Sequence, residues 1–452
     1  MEYVRNYEEQ LFLRTNVVGF AERYKENIIK AFRIDRLFAE NKIKKYNNCK
    51  EALQEKGKIS IQKILEIYWP QFVEKYKKQL TRAAIIENVE AVISCGKFDS
   101  GYLYFECENP CCNNFHLQPF TCKSRFCPSC GKKYNDARVK EISKKCINVK
   151  HRHIVFTISN RLWPYFQKDR SLIDCLFEAV NQTFNFMAKK VGKLKEYKFG
   201  FISTLHTFGR DIKFNPHLHV LVAKCIIDKN NNVKKYDYFH YELMRKSFQK
   251  ILLDLLTKRI NTVEFRHIKN LIYKESNQGF YVYGPSFQAK DSNESKELVR
   301  YVVRYAGHPA ISQGRITNVD FNNHTISYYY DPHEDLNTRK DNKIGRQYVT
   351  EHIFDFIKKL IVHIPDTGKH NIRYYGFYAN KSKQRPIIRT IKWPLYPNKV
   401  IRKMIAELSW RNKILKSFNY DILMCDRCGN TLILVPDMCY IPKRLKRKRC
   451  YG

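Results

Sequence analysis

Between about Ile59 and Ile93, the residues Ile61, Ile64, Leu65, Tyr68 and Phe72 recur every three or four positions, the rhythm of helices with one buried face. The first 57 residues are polar, read as helical and carry little that suggests chemistry. A stretch rich in Cys, Asn and Pro runs from Cys95 to Gly131. His153-Ile-Val-Phe-Thr-Ile-Ser159 then has the β-branched, apolar content of a buried strand. Ser171 opens an amphipathic helix in which Leu172, Leu176, Val180, Phe184 and Met187 share a face. Two strand-like runs follow, Gly200–His206 and His217–Val222, and Leu243, Met244, Phe248, Ile251, Leu252 and Leu255 mark another helix. Short strands around Tyr281 and a helix from about Ser295 to Tyr305 complete the middle of the chain. Beyond residue 330 the pattern becomes basic and irregular, ending in Lys443-Arg-Leu-Lys-Arg-Lys-Arg449. No internal repeat and no long low-complexity linker interrupts the order. It predicts an α+β fold, an antiparallel sheet with helices packed on it.

Charge narrows the function. Lys and Arg number 82 against 44 Asp and Glu, a net +38, which draws the protein to polyanions because each neutralised phosphate releases a counterion. The 30 Tyr and 29 Phe, interleaved with the cations, offer rings on which unpaired bases stack. No 18-residue apolar run is present and the N-terminus has no secretory pattern, so no membrane partner is expected and the cytoplasm is the expected compartment. In that reducing compartment, clustered cysteines point to metal and not to disulfides.

Six of the 15 cysteines, Cys107, Cys111, Cys112, Cys122, Cys127 and Cys130, fall in one short stretch. Composition alone would put about 0.8 there. Cys127-Pro-Ser-Cys130-Gly131 is a knuckle that lets two thiolates converge on one zinc ion. The expected partners of this pair are Cys107 with Cys111 or Cys112, leaving Cys95, His116 and Cys122 for a second site. Cys425-Asp-Arg-Cys428-Gly429, followed by Cys439 and Cys450, reads as a weaker C-terminal copy. All-cysteine zinc sites are closed and structural, so neither module implies catalysis.

The segment Pro216-His217-Leu218-His219-Val220 carries the sharper chemistry. On a strand, alternate side chains share a face, so both imidazoles point one way and can hold a divalent cation with room for water and phosphate. His206, on the preceding strand-like run, is the candidate third ligand if a hairpin turns through Gly209-Arg-Asp211. At this histidine content about 0.4 His-x-His triplets arise by chance, and His151-Arg-His153 is a second one, so context must add weight. Arg300-Tyr301-Val-Val-Arg304-Tyr305 sets two phenols one helical turn apart, with two arginines able to bind phosphate beside them. A metal-assisted phenol can attack a phosphodiester.

Taken in order, these segments resemble the rolling-circle transposases of the insertion-sequence 91 type, members of the HUH endonuclease superfamily with an N-terminal zinc-binding domain. The resemblance rests on Cys122-Lys-Ser-Arg-Phe-Cys-Pro-Ser-Cys130, His153-Ile-Val-Phe-Thr157, Leu205-His-Thr-Phe-Gly209 through Asn215-Pro-His-Leu-His-Val-Leu-Val222, and Tyr301-Val-Val-Arg-Tyr305 with Pro309-Ala-Ile-Ser312. Lys369-His-Asn-Ile-Arg-Tyr-Tyr-Gly376 adds a fifth element, and the whole covers roughly residues 90–380, with a looser echo at Trp410–Ile414 and Cys425–Gly429. His206 stands where many relatives would carry Gln. The resemblance implies an HUH-type antiparallel sheet flanked by helices, with His217 and His219 holding Mg²⁺ or Mn²⁺ and Tyr301 and Tyr305 as nucleophiles. It also implies structural zinc, and single-stranded DNA at element ends and target as the partner, met at the nucleoid. Arg300, Arg304, Arg315 and Arg373 are the expected DNA contacts. The expected organisation is a helical extension (1–57), a helical and zinc-binding domain (58–147), the nuclease domain (148–330), a basic DNA-binding segment (331–400) and a basic, Cys-containing C-terminal region (401–452). A replication initiator of the same superfamily is the alternative, separable only by flanking DNA. A noncatalytic zinc-containing DNA-binding protein is another, which would form no covalent DNA adduct.

Overall fold

In a computed structural model of the chain, the described residues are 60–192, 196–284, 309–331, 345–382 and 421–442, with a few single positions between them. One compact unit spans Ile61–Cys439; of the other, Met1–Ser60 with Tyr440–Gly452, only Ser60 and residues 440–442 are described.

The N-terminal part of the larger unit begins with helices α1 (Ile61–Tyr76) and α2 (Ala83–Ile93). The apolar stripe expected from spacing is the buried face of α1: Ile61, Ile64, Leu65, Tyr68 and Phe72, joined by Trp69. Strands β1 (Tyr102–Cys107) and β2 (Phe115–Pro119) form an antiparallel hairpin, and α3 (Pro128–Ser143) follows with proline in its first turn, where no amide hydrogen is needed.

The central sheet is antiparallel throughout. It comprises β3 (His151–Phe156), β4 (Lys198–Phe208), β5 (Phe214–Ile227), the short β6 (Val233–Lys235) and β7 (Val282–Tyr283), and it is completed by β11 (Ile372–Tyr375) in the order β11-β4-β5-β3-β7, with β6 on β5. Helices α4 (Trp163–Lys168), α5 (Ile173–Gly192), α6 (Tyr241–Ile260) and α7 (Val263–Glu275) lie among these strands in sequence. Alternation then divides the sheet into two faces. Ile154, Phe156, Phe201, Leu205, Leu218, Val220 and Val222 pack against α5 and α6, among them Leu176, Val180, Phe184, Phe248 and Leu252. The opposite face buries Ile202, Leu221, Ala223 and Cys225 against Ile142, Ile147, Phe377, Tyr378, Leu298 and Val302. The fold is thus α+β, as the rhythm of the sequence predicts.

A second small sheet, ordered β10-β9-β8, consists of β8 (Ile316–Asp320), β9 (Thr325–Tyr330) and β10 (Gln347–His352), and β10 leads into helix α8 (Ile353–Ile361). Phe354 at the start of α8 meets Tyr68 and Phe72 of α1 edge-on. The irregular pattern expected beyond residue 330 gives way within residues 345–382 to regular structure. They carry a strand, an amphipathic helix and then β11, an edge strand of the central sheet whose register runs Ile372↔Thr204 to Tyr375↔Phe201. Basic residues outnumber acidic ones here because edge strands and exposed helix faces tolerate charge, so composition masked the structure.

Gly376 ends β11 at φ +55°, and a Cβ there would lie 1.6 Å from the carbonyl oxygen of Phe199; a Cβ on Gly200 would lie 2.1 Å from the Phe377 ring. Backbone meets backbone at Gly376, so no side-chain movement relieves the clash. Gly376→Ala is expected to destabilise the fold by at least about 2 kcal/mol. Gly314→Ala, where nothing lies within 4 Å, should leave the urea midpoint nearly unchanged. Equal midpoints for the two variants would contradict this account of the β11 corner.

Candidate metal centre

The β4–β5 hairpin brings His206 directly opposite His217 in register, with Thr204 opposite His219. The period-two pleat puts His206, His217 and His219 on one face. One ring nitrogen from each lies within 4.8 Å of the others, and the His217 and His219 Nε2 atoms are 3.1 Å apart. Nitrogens bound to one cation at about 2.1 Å stand about 3 Å apart, so this spacing fits a shared ion. His206 and His219 are buried and His217 is partly buried.

Hydrogen bonds set the orientation of the rings. The His217 Nδ1 lies 2.7 Å from the Asn215 carbonyl oxygen, which can only accept. The proton of His217 therefore sits on Nδ1, and Nε2 keeps its lone pair for a cation. His219 Nδ1 is 2.8 Å from Nε2 of His153, whose ring stacks on it at 5.1 Å. With the proton on His219 Nδ1, donated to His153, the His219 Nε2 carries a lone pair on the side that faces His217 Nε2. His153 thus joins the cluster through His219, where spacing alone left a chance triplet. Its neighbour His151 points to the Tyr378 hydroxyl at 2.7 Å and plays no part in the cluster.

Burial holds these rings neutral. Desolvation lowers the pKa of His217, and that of His219 falls well below the usual value through burial and then the neighbouring imidazoles. His151, His153 and His363 are each lowered to about 4, chiefly by burial. Unfolded histidines titrate near 6.5, so between pH 6.5 and 4 the unfolded chain binds protons that the folded chain refuses. Stability must therefore fall as pH drops through that window, by up to about 1.4 kcal/mol per pH unit for each such ring. A urea midpoint that stays level from pH 7 to pH 5 would contradict the neutral buried state.

The cysteines form two groups, and the grouping corrects the expected one. Cys95, Cys122, Cys127 and Cys130 converge, with sulfur separations of 3.6 Å (Cys95–Cys130 and Cys122–Cys130) and 3.8 Å (Cys95–Cys127). Cys107 and Cys112 instead join Cys425 and Cys428. The β1–β2 register explains the exchange. Tyr102 pairs with Pro119 at the open end and Glu106 with Phe115 at the turn end. Cys95 and Cys122 flank the open end, while Cys107 and Cys112 lie at the turn, about 17 Å away for five residues of strand. Cys111 is exposed and outside both groups; His116, partly buried, also lies outside them. Cys439 receives the Tyr104 amide at 3.4 Å and joins neither group; Cys450 lies outside the described residues.

Residues 200–385 match the family model described as "Putative transposase", and residues 64–158 match "Transposase zinc-binding domain". The chain is 28% identical over 307 residues to the transposase for insertion sequence element IS801 of Pseudomonas savastanoi pv. phaseolicola, covering 66% of this chain and 70% of that protein. It is 22% identical over 291 residues to "Putative transposase y4qJ" of Sinorhizobium fredii (strain NBRC 101917 / NGR234), covering 61% and 70%. The chain belongs to the IS91-type transposases. No solved structure matches it.

In this transposase the Cys95–Cys122–Cys127–Cys130 group lies wholly within the zinc-binding domain. Tetrahedral thiolates at about 2.3 Å from zinc stand about 3.8 Å apart, so the observed separations fit structural zinc. The three clustered histidines lie within the transposase match. Arg373 pairs with Asp174 and lies over the Phe177 ring at 4.0 Å. Arg315 donates to the carbonyls of Tyr329 and Arg210, at 2.7 and 2.6 Å. Both guanidinium groups are thus engaged within the protein. Tyr301, Tyr305, Arg300 and Arg304 lie outside the described residues. Among the described residues, no helix is long and apolar enough to cross a membrane.

Proposed function

We propose that this transposase is an HUH-type nuclease that cuts and rejoins single-stranded DNA at the ends of its element and at the target. His206, His217 and His219 hold the divalent cation, and Tyr301 and Tyr305 supply the nucleophiles. The observation that carries this reading is the convergence of three imidazoles, His206, His217 and His219, on one sheet face. A further support is that Leu298 and Val302, which flank Tyr301 in sequence and stand four residues apart, are both buried on that same face.

Bound at the imidazoles, Mg²⁺ or Mn²⁺ supplies Lewis-acid polarisation of a phosphate oxygen. The chain's own groups do the rest. Asn215 keeps the proton of His217 on Nδ1, and His153 orients His219. The phenolic oxygen of one tyrosine loses its proton and forms a bond to phosphorus, while the bond from phosphorus to the 3′-oxygen breaks. That oxygen leaves as a 3′-hydroxyl after taking up a proton, and the DNA remains attached as a 5′-phosphotyrosine. The linkage conserves the energy of the broken bond, so a 3′-hydroxyl from another strand reverses the step and joins. The second phenol permits a second cut while the first strand is held. A net charge of +38 gathers the strand, and the work is done at the nucleoid.

The test is direct. The full-length protein with Mn²⁺ or Mg²⁺ and a labelled single-stranded oligonucleotide from an element end should yield a species that co-migrates with protein on a denaturing gel. The same sequence as a closed duplex should yield little. Absence of any such species, or equal yield from duplex, would overturn the reading.

A further inference from the structure

We propose that Cys107, Cys112, Cys425 and Cys428 bind a second structural zinc ion, which ties residues 421–434 to the zinc-binding domain across more than 300 residues of sequence. Neither family match contains the C-terminal pair: one ends at residue 158, the other at 385. The sulfurs of Cys107 and Cys428 are 3.3 Å apart and those of Cys112 and Cys425 are 3.8 Å apart, with all four within 4.8 Å. Four thiolates on one zinc stand at about that spacing.

Each knuckle bonds its glycine amide back to the carbonyl of its first cysteine, at the start of α3 in one case and in a turn in the other. In the zinc-binding domain, the Gly131 amide donates to the Cys127 carbonyl at 2.7 Å. In the C-terminal knuckle, the Gly429 amide donates to the Cys425 carbonyl at 2.9 Å, and Gly429 has φ +75°, a conformation that favours glycine. Asn114 Nδ2 donates to Cys425 Sγ at 3.1 Å, the kind of contact that orients a thiolate ligand. Arg427 donates to the Cys112 carbonyl at 3.1 Å.

Strand pairing delivers the knuckle to this place. The three-residue strand β12 (Leu432–Leu434) lies antiparallel to β1, with Cys107 opposite Leu432 and Phe105 opposite Leu434. Among the described residues the buried cluster beneath is Phe105, Cys112, Cys425 and Leu432, with Leu103, Leu423 and Leu434 partly buried against it. A strand this short over a core this small needs a staple to hold it. The ion supplies that staple, and the site is closed, so it adds stability and no catalysis.

Reactivity of the unaltered chain decides the matter, because Cys111 and Cys428 are both exposed while only Cys428 belongs to the group. Under reducing conditions with zinc present, iodoacetamide should label Cys111 readily and Cys428 at least about tenfold more slowly, since a zinc-bound thiolate is a poor nucleophile. A strong zinc chelator should release Cys107 and Cys428 together. Zinc analysis of variants gives a second readout: Cys425→Ser with Cys428→Ser should remove one equivalent, Cys107→Ser with Cys112→Ser the same one, and all four together no more. Labelling of Cys428 at the rate of Cys111, or an unchanged zinc content in the Cys425/Cys428 variant, would overturn the proposal.

Discussion

Replacing Tyr301 and Tyr305 together by Phe is expected to abolish the covalent DNA adduct, lowering single-strand cleavage by about 10⁴-fold or more, the scale at which loss of a nucleophile is felt. Phenylalanine keeps the ring, its volume and its stacking surface, and removes only the oxygen that attacks phosphorus. Binding of the oligonucleotide, read by fluorescence anisotropy, should therefore change little while adduct formation disappears. Each single replacement leaves one phenol. One of the two should still make the first cut, and both should fail to complete strand transfer, because a strand must be held while a second is cut. Adduct persisting in the double variant would place the nucleophile among the other tyrosines of a chain that has 30.

The histidine cluster makes a second large prediction, with a built-in contrast. His219 is a proposed ligand, and His153 acts only through it, at 2.8 Å from its Nδ1. Loss of an outer-shell partner typically costs about 10–100-fold in metal affinity or activity, so loss of the ligand itself should cost at least about 100-fold. His153→Ala is expected to fall in the lower range and to recover as Mn²⁺ is raised, since its effect is on affinity. His219→Ala should not recover. Binding of Mn²⁺ followed by electron paramagnetic resonance supplies a readout apart from activity. If His153→Ala resisted rescue while binding Mn²⁺ normally, the positioning role would be wrong. If His219→Ala bound Mn²⁺ as the parent does, the cation would lie elsewhere.

Much of the site chemistry could be read along the chain. The pleat alone puts His217 and His219 on one face, and the short turn from Phe208 to Phe214 makes His206 their neighbour. The same alternation separates Leu218, Val220 and Val222 for the opposite core. The cysteine knuckles were equally visible, each a Cys-x-x-Cys followed by glycine. Less visible was the order after residue 330, where charge concealed β10, α8 and β11.

Sequence by itself determined the elements whose cause is local. These are the stripe of α1, the alternation of β4 and β5, the paired imidazoles and the two knuckles, all set by residues within a turn or a hairpin of one another. Only the tertiary structure decided the partners: His153 behind His219, Cys95 and Cys122 with Cys127 and Cys130, and Cys425 and Cys428 beside Cys107. Such pairings depend on strand register and on which faces pack together. Those are properties of the whole sheet, summed over contacts between residues far apart in the chain, and no short spacing encodes them.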